Sequence, residues 1–311
     1  MELIRGQHNL RPRHRECVVT IGTFDGLHLG HQAIIEQLAQ VGAEHGLPRV
    51  LITFEPTPAE FFAADAAPAR LTRLREKLEL LRAQPLERVL VLRFDAALAA
   101  LSAEEFVHRL LVDSLAARCV IVGDDFRFGH GARGDFALLA ALGRRWGFQV
   151  QRQTTFSLDG ERVSSSRVRQ ALADGDLDLA ARLLGRPYAI QGRVARGDQL
   201  GRTIGFPTAN VPLHRRVCPL SGVYAVQVAG IDAAALPGMA NIGSRPTVNG
   251  RETRLEVHLF DFQGDIYGRP LRVDFLHRLR PEQRFPSLDA LRQQLHADAE
   301  RARRLLATTA S

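Results

Sequence analysis

Lysine is almost absent from this sequence: among 311 residues only Lys77 is a lysine, so arginine carries nearly all of the positive charge. Lys and Arg together number 41 against 34 Asp and Glu, which gives a formal net charge of +7. Without a second lysine the chain has no Gly-x-x-x-x-Gly-Lys-Ser/Thr phosphate loop and little scope for Schiff-base chemistry. An excess of arginine suits nucleic acids, but it equally suits phosphorylated small molecules.

Cysteine and aromatic residues are also scarce. The three cysteines are Cys17, Cys119 and Cys218, and their spacing matches no zinc-binding pattern. Cys17 and Cys119 lie in or beside apolar runs, which predicts buried, reduced thiols rather than a nucleophile. Aromatic residues make up 6% and form no row that could stack on single-stranded nucleic acid.

Long apolar runs are missing as well. No stretch approaches the roughly 20 apolar residues of a membrane span, and residues 1–15 contain no apolar core of a signal peptide. We therefore expect a cytoplasmic protein that uses no membrane. The length predicts two domains, and the 45% apolar and 24% charged residues are typical of folded domains.

In the first half of the chain, short apolar runs alternate with helical patterns. Ser102 and Glu105 form a capping box that opens one of the helices. The alternation predicts a doubly wound, Rossmann-like domain with a parallel sheet. The predicted strands are 18–21, 50–54, 89–92, 120–122 and 148–153.

After Ser164 the pattern changes to two short helices and then to short strands separated by Gly and Pro turns. We place the domain boundary at Arg186-Pro187, giving domains 1–186 and 187–311. The second domain is expected to be a β-barrel, and Ser287 is a suitable N-cap for a terminal helix. The predicted barrel strands are 189–194, 222–228, 255–260 and 271–276.

The first candidate site runs from the strand 18–21 into a helix, through the segment Gly-Thr-Phe-Asp-Gly-Leu-His-Leu-Gly-His of residues 22–31. Ligands of open α/β sheets bind at the carboxyl ends of strands, where a helix N-terminus favours phosphate. His28 and His31 are three residues apart, so both rings can hydrogen-bond one phosphorus centre as negative charge builds. The alternative is that the histidines merely cap the turn.

This segment resembles the nucleotide-binding motif of the HxGH nucleotidyltransferases, and in particular the adenylyltransferase half of bacterial FAD synthetases. The resemblance implies catalytic His28 and His31, with nucleotide binding by Gly22, Phe24, Asp25 and Gly26. Residues 123–129 resemble the motif of that family that holds the flavin, which implies flavin contacts from Asp125, Phe126, Arg127 and Phe128. Residues 164–169 resemble its Ser-Ser-Thr-x-x-Arg motif, which implies that Ser164, Ser165, Ser166 and Arg169 bind ATP phosphates. Ser166 departs from the family pattern, which has Thr there, but the hydroxyl is kept.

The second candidate site is the turn Pro-Thr-Ala-Asn at residues 207–210, preceded by Gly201, Thr203 and Gly205. A turn rich in glycine can wrap a phosphate, and Thr208 and Asn210 offer neutral oxygens of the kind that Mg²⁺ accepts beside substrate phosphates. The residues alone equally allow an ordinary turn with asparagine as turn former.

Pro-Thr-Ala-Asn strongly resembles the signature of the riboflavin kinases. The resemblance implies that Thr208 and Asn210 hold ATP and Mg²⁺, that Gly201 and Thr203 belong to the nucleotide loop, and that Glu256 is the catalytic base. Together the two resemblances imply ATP-dependent conversion of riboflavin to FMN by the second domain and of FMN to FAD by the first. The implied partners are riboflavin, FMN, ATP and Mg²⁺, with no nucleic acid. A nucleotidyltransferase with another acceptor, such as a pantetheine or cytidyl substrate, and a basic nucleic-acid-binding protein remain as alternatives, and the oligomeric state is open.

Overall fold

In the computed structural model the described residues are 1–197, 201, 204–247 and 250–309. They form two compact units, and each unit is made of two segments that are not consecutive in the sequence. Unit 1 consists of Met1–Pro68 and Lys77–Ser164, and unit 2 of Ala69–Glu76 and Ser165–Ser311.

Unit 1 is built on a six-stranded, fully parallel sheet with the strand order β1-β4-β3-β2-β5-β6. The sheet confirms the predicted doubly wound fold, and each of the five predicted strands is present. The strands are β1 (Glu2–Arg5), β2 (Val18–Ile21), β3 (Arg49–Glu55), β4 (Arg88–Arg93), β5 (Cys119–Gly123) and β6 (Gln149–Gln153). The edge strand β1 was not predicted, because its only apolar residues are the adjacent pair Leu3 and Ile4. A small hairpin, β7 (Ser157–Leu158) and β8 (Glu161–Arg162), follows the sheet.

The helices of this half begin where capping signals stand in the sequence. Ser102 accepts a hydrogen bond from the Glu105 amide, and the Glu105 carboxylate accepts one from the Ser102 amide, which confirms the capping box. The helices are α1 (Leu29–His45), α2 (Pro58–Phe62), α3 (Leu74–Arg82), α4 (Ala96–Ala99), α5 (Ala103–Phe106, continued by a π-helical stretch Val107–Ser114) and α6 (Phe136–Trp146).

The cysteines of unit 1 are buried free thiols, as predicted. Burial raises the pKa of Cys17 to about 12 and that of Cys119 to about 11. Both therefore stay protonated and serve as small core side chains.

Unit 2 is a nearly closed antiparallel barrel with the strand order β10-β13-β12-β11-β14-β9. A bridge between Ala195 and Asn210 joins the two ends of the sheet. The strands are β9 (Tyr188–Arg193), β10 (Ala209–Pro212), β11 (Gly222–Ala229), β12 (Leu236–Thr247), β13 (Gly250–Leu259) and β14 (Pro270–Arg280). The barrel confirms the predicted architecture, although β10 and β12 were not predicted.

The described part of unit 2 also contains the helices α7 (Ser165–Asp174), α8 (Leu177–Leu184) and α9 (Leu288–Thr309). Ser287 accepts a hydrogen bond from the Ala290 amide at 3.2 Å, so it caps α9 as predicted. Helix α9 packs on β11, β12 and β14, where Ala302 and Leu306 join the barrel core.

The compact units and the predicted functional domains divide the chain at different places. The units separate after Ser164, so α7 and α8 belong with the barrel, as does the segment Ala69–Glu76. The boundary at residues 186 and 187, which assigns one activity to each side, remains a prediction. No helix in the described part of the chain is long and apolar enough to cross a membrane.

Candidate active sites

The loop between β2 and α1 in unit 1 has an unusual backbone. Phe24 and Leu27 adopt φ values of 48° and 43°, and Gly26 between them has φ 81°. Positive φ is uncommon for residues with side chains and persists where the surroundings impose it. Both side chains are 1% exposed, so burial holds the loop in this conformation.

This loop brings the two candidate catalytic histidines together. The rings of His28 and His31 stack with centroids 3.6 Å apart and an interplanar angle of 17°. His28 is also the N-cap of α1, because its Nδ1 accepts a hydrogen bond from the His31 amide at 3.3 Å. His28 therefore has the capping role that the sequence analysis left as an alternative, and its ring also stacks on that of His31.

His31 is set up as a neutral group in this structure. Burial, with smaller contributions from the charges of His28 and Lys77, lowers the pKa of His31 well below its usual range. Its Nδ1 atom is buried and has no hydrogen-bond partner among the described residues. Since buried polar atoms normally have a partner, Nδ1 is a candidate ligand contact.

The remaining residues of the predicted nucleotide loop lie around the histidines. A side chain at Gly30 would place its Cβ 3.2 Å from His28 Nδ1 and 3.3 Å from the Val163 carbonyl, so glycine preserves the cap geometry. The other predicted residues of this loop are Gly22, Phe24, Asp25 and Gly26, and Asp25 is 5% exposed.

The predicted Ser-Ser-Ser-x-x-Arg residues are divided between the units. Ser164 is the last residue of unit 1, whereas Ser165, Ser166 and Arg169 lie in α7 of unit 2. In unit 2 the Arg169 Nε donates a hydrogen bond to the Ala69 carbonyl at 2.6 Å. This contact ties α7 to the segment Ala69–Glu76.

Unit 1 also contains an apolar cavity of about 430 Å³ at the carboxyl ends of the strands. Phe126, Arg127 and Phe128 line it as predicted for flavin contacts, and the two phenylalanine rings stack 5.3 Å apart. Asp125 instead forms an ion pair with Arg162 at 2.7 Å. The sequence analysis did not identify the other aromatic residues of the wall: Phe54, Phe62, Phe94 and Phe106.

In unit 2, strand pairing lines up three polar side chains. Glu256 of β13 stands directly opposite Asn210 of β10 on one side and Asn241 of β12 on the other. Residues opposite each other in antiparallel strands share a face of the sheet. The three side chains therefore form a row across three strands, and Asn241 is a member that the sequence analysis did not assign.

This row lines a cavity of about 390 Å³ in the barrel. Thr208 and Gly201 also line this cavity. Four of the predicted kinase residues therefore surround one space: Gly201, Thr208, Asn210 and Glu256. A second cavity of about 510 Å³ shares Thr208 and is lined by Asp265 and Tyr267 among others. Thr203, the remaining predicted residue, lies outside the described part of the chain.

Two further residues fix the Pro-Thr-Ala-Asn turn. His258 Nδ1 is 2.9 Å from the Pro207 carbonyl, and burial lowers the pKa of His258, which favours a neutral ring that donates to this carbonyl. A Cβ at Gly197 would lie 2.3 Å from Asn210 Nδ2, so the asparagine side chain occupies the space that glycine leaves.

A doubly wound unit with two stacked histidines after its second strand, and a barrel with Thr208, Asn210 and Glu256 around one cavity, are the features expected of a two-domain, nucleotide-dependent transferase. The FAD synthetase family model matches residues 10–167, and the riboflavin kinase family model matches residues 184–306. The chain belongs to the bifunctional riboflavin kinase/FMN adenylyltransferase family.

Curated relatives match over their full length. The bifunctional riboflavin kinase/FMN adenylyltransferase of Escherichia coli K12 is 53% identical over 310 residues, covering 99% of each chain. The protein of the same name from Pseudomonas fluorescens is 53% identical over 311 residues, covering 100% of this chain and 99% of that one. A crystal structure described as a macrolide-efflux protein from Streptococcus pneumoniae is 32% identical with a TM-score of 0.83, covering 97% of this chain and 99% of that chain.

Proposed function

We propose that this chain makes FAD from riboflavin in two ATP-dependent steps, with a kinase site in unit 2 and an adenylyltransferase site in unit 1. The observation that carries the proposal is that motif residues within each family match line a cavity. In unit 1 these residues are Phe126, Arg127 and Phe128, and in unit 2 they are Gly201, Thr208, Asn210 and Glu256. Cavities of about 430 and 390 Å³ are within the size range of small-molecule sites.

In the kinase site, Glu256 acts as general base on the riboflavin 5′-hydroxyl. It takes the proton while the hydroxyl oxygen bonds to the γ-phosphorus of ATP and ADP leaves. The flavin ring occupies the cavity that Glu256 lines, and Thr208, which lines both cavities, marks the phosphate position between flavin and adenosine.

The oxygen donors at this site fit Mg²⁺. Thr208 and Asn210 supply neutral oxygens, and Mg²⁺ usually takes only one or two protein ligands together with water and substrate phosphates. Among the described residues no group of three or more His, Cys, Asp or Glu side chains could hold a metal ion. The bound ion would neutralise phosphate charge, while the chain orients the phosphates through the turn that Gly197 and His258 support.

In the adenylyltransferase site, an FMN phosphate oxygen bonds to the α-phosphorus of ATP and pyrophosphate leaves, with no covalent enzyme intermediate. His28 and His31 hydrogen-bond the phosphate oxygens as charge builds, and the N-terminus of α1 adds its dipole. The loop residues Gly22, Phe24, Asp25 and Gly26 surround the nucleotide. The phosphate-binding role that the resemblance implies for Ser164, Ser165, Ser166 and Arg169 is kept in the proposal. The isoalloxazine ring lies in the phenylalanine-lined cavity beside Phe126, Arg127 and Phe128. Asp125 orders the loop through its ion pair with Arg162.

We place the enzyme in the cytoplasm, because its three free cysteines suit a reducing compartment. Riboflavin, FMN and ATP account for the three cavities described above without nucleic acid. A nucleotidyltransferase with another acceptor would leave the Asn210-Glu256-Asn241 row without a role.

The test is to incubate the purified chain with riboflavin, ATP and Mg²⁺ and to identify flavins by chromatography. We expect FMN first and FAD afterwards. The double variant His28→Ala, His31→Ala should accumulate FMN at a normal rate and form no FAD. Equal loss of both activities in a folded double variant would refute the assignment of the histidines, and a pantetheine phosphate adenylylated in preference to FMN would favour the other acceptor.

A further inference from the structure

Lys77 is the chain's one lysine, and its side chain is buried in unit 1, only 1% exposed. Burying an ammonium group is costly unless hydrogen bonds compensate for the lost water. Nearly all other basic residues of this chain are arginines. At this buried position the chain instead has a lysine, whose ammonium group is compact and has three donors, whereas a guanidinium group is larger and planar. The contacts of Lys77 therefore indicate what it does.

Two hydrogen bonds, one of them from Lys77, meet at the Thr23 carbonyl. Lys77 Nζ donates a hydrogen bond to the Thr23 carbonyl at 2.6 Å and lies 3.4 Å from Thr53 Oγ1. Thr53 Oγ1 donates to the same carbonyl at 3.1 Å. Two donors from α3 and β3 thus fix the orientation of the peptide group that follows Thr23.

That peptide group leads directly into the part of the loop with positive φ values. Phe24, with φ 48°, is the next residue, and its ring centroid lies 5.0 Å from that of His31. His31 in turn stacks on His28. Such backbone conformations persist only where several contacts impose them. Fixing the Thr23 carbonyl therefore helps to fix the positions of the His28 and His31 rings.

We propose that Lys77 is a positioning residue for adenylyl transfer, which holds the Thr23 carbonyl and thereby the loop that presents His28 and His31. The inference rests on the proposed role of the two histidines. The positive charge of Lys77 has a second effect on the histidine pair. It contributes to the lowered pKa of His31 and so helps to keep that ring neutral. In this role Lys77 acts through the loop, by way of its hydrogen bond to the Thr23 carbonyl.

The test uses three variants of the full chain, Lys77→Met, Lys77→Arg and Thr53→Val. For each, kcat and KM are measured for FAD formation from FMN and ATP, and FMN formation from riboflavin is measured in the same preparation. Lys77→Met should lower kcat for FAD formation by about 10- to 100-fold, because a misplacement of about 1 Å costs on that order. KM values and FMN formation should stay within about twofold, since binding uses the whole site.

The other two variants separate the hydrogen bond from general packing. Lys77→Arg keeps a charged donor and should recover part of the lost kcat. Thr53→Val removes one of the two donors to the Thr23 carbonyl but keeps Lys77, so it should give a smaller loss of kcat. The ring signals of selectively labelled His31, assigned with His31→Gln, should move in Lys77→Met even without substrate.

The proposal is overturned if folded Lys77→Met forms FAD with the kcat of the original chain. If Lys77→Met does not fold, Thr53→Val decides, and an unchanged kcat and His31 spectrum in that variant overturn the proposal. Failure of the underlying site assignment looks different, because FAD formation would then survive in the His28→Ala, His31→Ala variant as well.

Discussion

Arg215 forms a buried ion pair with Glu76, although 139 residues separate them in the sequence. The side chains of Arg215 and Glu76 are 1% and 5% exposed. Arg215 also donates to the Tyr188 hydroxyl at 2.7 Å, and Glu76 accepts a hydrogen bond from the Gln191 amide at 2.9 Å. The segment Ala69–Glu76 is thus a structural part of the barrel unit.

A fragment beginning at Pro187, the predicted domain boundary, would lack Glu76 and leave the Arg215 charge buried without its carboxylate. Removing one partner of a buried ion pair costs about 3–5 kcal/mol. We therefore expect the fragment 187–311 to unfold at a lower urea concentration than the barrel in the full chain. Circular dichroism of the fragment and of the full chain measures this.

Arg215→Met in the fragment is the matched control. It removes the uncompensated charge and should make the fragment more stable, whereas in the full chain it strands Glu76 and should destabilise. If Arg215→Met had the same effect in both backgrounds, the ion pair would not be the reason for the instability.

Glu256→Gln should stop riboflavin phosphorylation while FMN supplied from outside is still converted to FAD. Glutamine keeps the shape of the side chain in the row with Asn210 and Asn241 but cannot accept the hydroxyl proton. Loss of a general base typically costs about 10²- to 10⁴-fold in rate. Flavin chromatography with each substrate in turn measures both steps. A kinase rate in Glu256→Gln within tenfold of the original would exclude the role of Glu256 as the base.

Asn210→Asp should behave differently, because it adds a negative charge beside the phosphates. It should mainly raise KM for ATP in the kinase reaction.

Gly197→Ala should impair the kinase through Asn210. The new methyl carbon would lie 2.3 Å from Asn210 Nδ2 and 2.5 Å from its Cγ, so the amide must leave the row. We expect a rise in KM for ATP of about tenfold or more, measured by initial rates of FMN formation, with FAD formation from FMN unchanged. Gly192→Ala is the matched control, since its Cβ would lie 2.3 Å from Val211 Cγ1 rather than from a polar side chain of the site. Equal losses in both variants, each still folded, would point to barrel packing instead.

His31 should make the stability of the protein depend on pH. Burial lowers the pKa of His31, so below about pH 6.5 the unfolded chain binds a proton that the folded chain does not. Stability therefore falls as pH decreases through this range, by up to about 1.4 kcal/mol per pH unit. His31→Gln removes this proton, so urea unfolding at a series of pH values should show a smaller decline towards acid. Above about pH 7.5 the free energies of unfolding of the two proteins should change with pH in parallel. Parallel curves at every pH would show that the pKa of His31 is the same in the folded and unfolded chains.

The local sequence predicted the strands whose apolar runs are continuous and missed those that depend on their neighbours. Strand β12 contains Pro237, Gly238 and Pro246, residues that disfavour strands on their own, and it is held by pairing with β11 and β13. The first two residues of β10, Ala209 and Asn210, belong to the Pro-Thr-Ala-Asn turn, which concealed the strand. Long-range pairing, which no local window contains, decides both.

The candidate sites follow the same division. Motif residues such as His28 and Glu256 could be identified from their spacing and resemblance. Asn241, although it matches the riboflavin kinase pattern, and Lys77 received no site role from the sequence. The first enters the site through strand register and the second through a contact 54 residues away in sequence. The phenylalanine wall of the unit 1 cavity likewise comes from strands, helices and loops that are separate in the sequence.

The burial of the single lysine also determines how the outside of the protein responds to its surroundings. With no lysine elsewhere in the sequence, the basic groups available to solvent are guanidinium groups and histidine rings. A guanidinium group keeps its charge at every pH at which proteins stay folded. The positive charge that arginine gives the protein surface therefore persists into alkaline solution. Acetylation, which neutralises lysines, has no exposed lysine side chain on which to act.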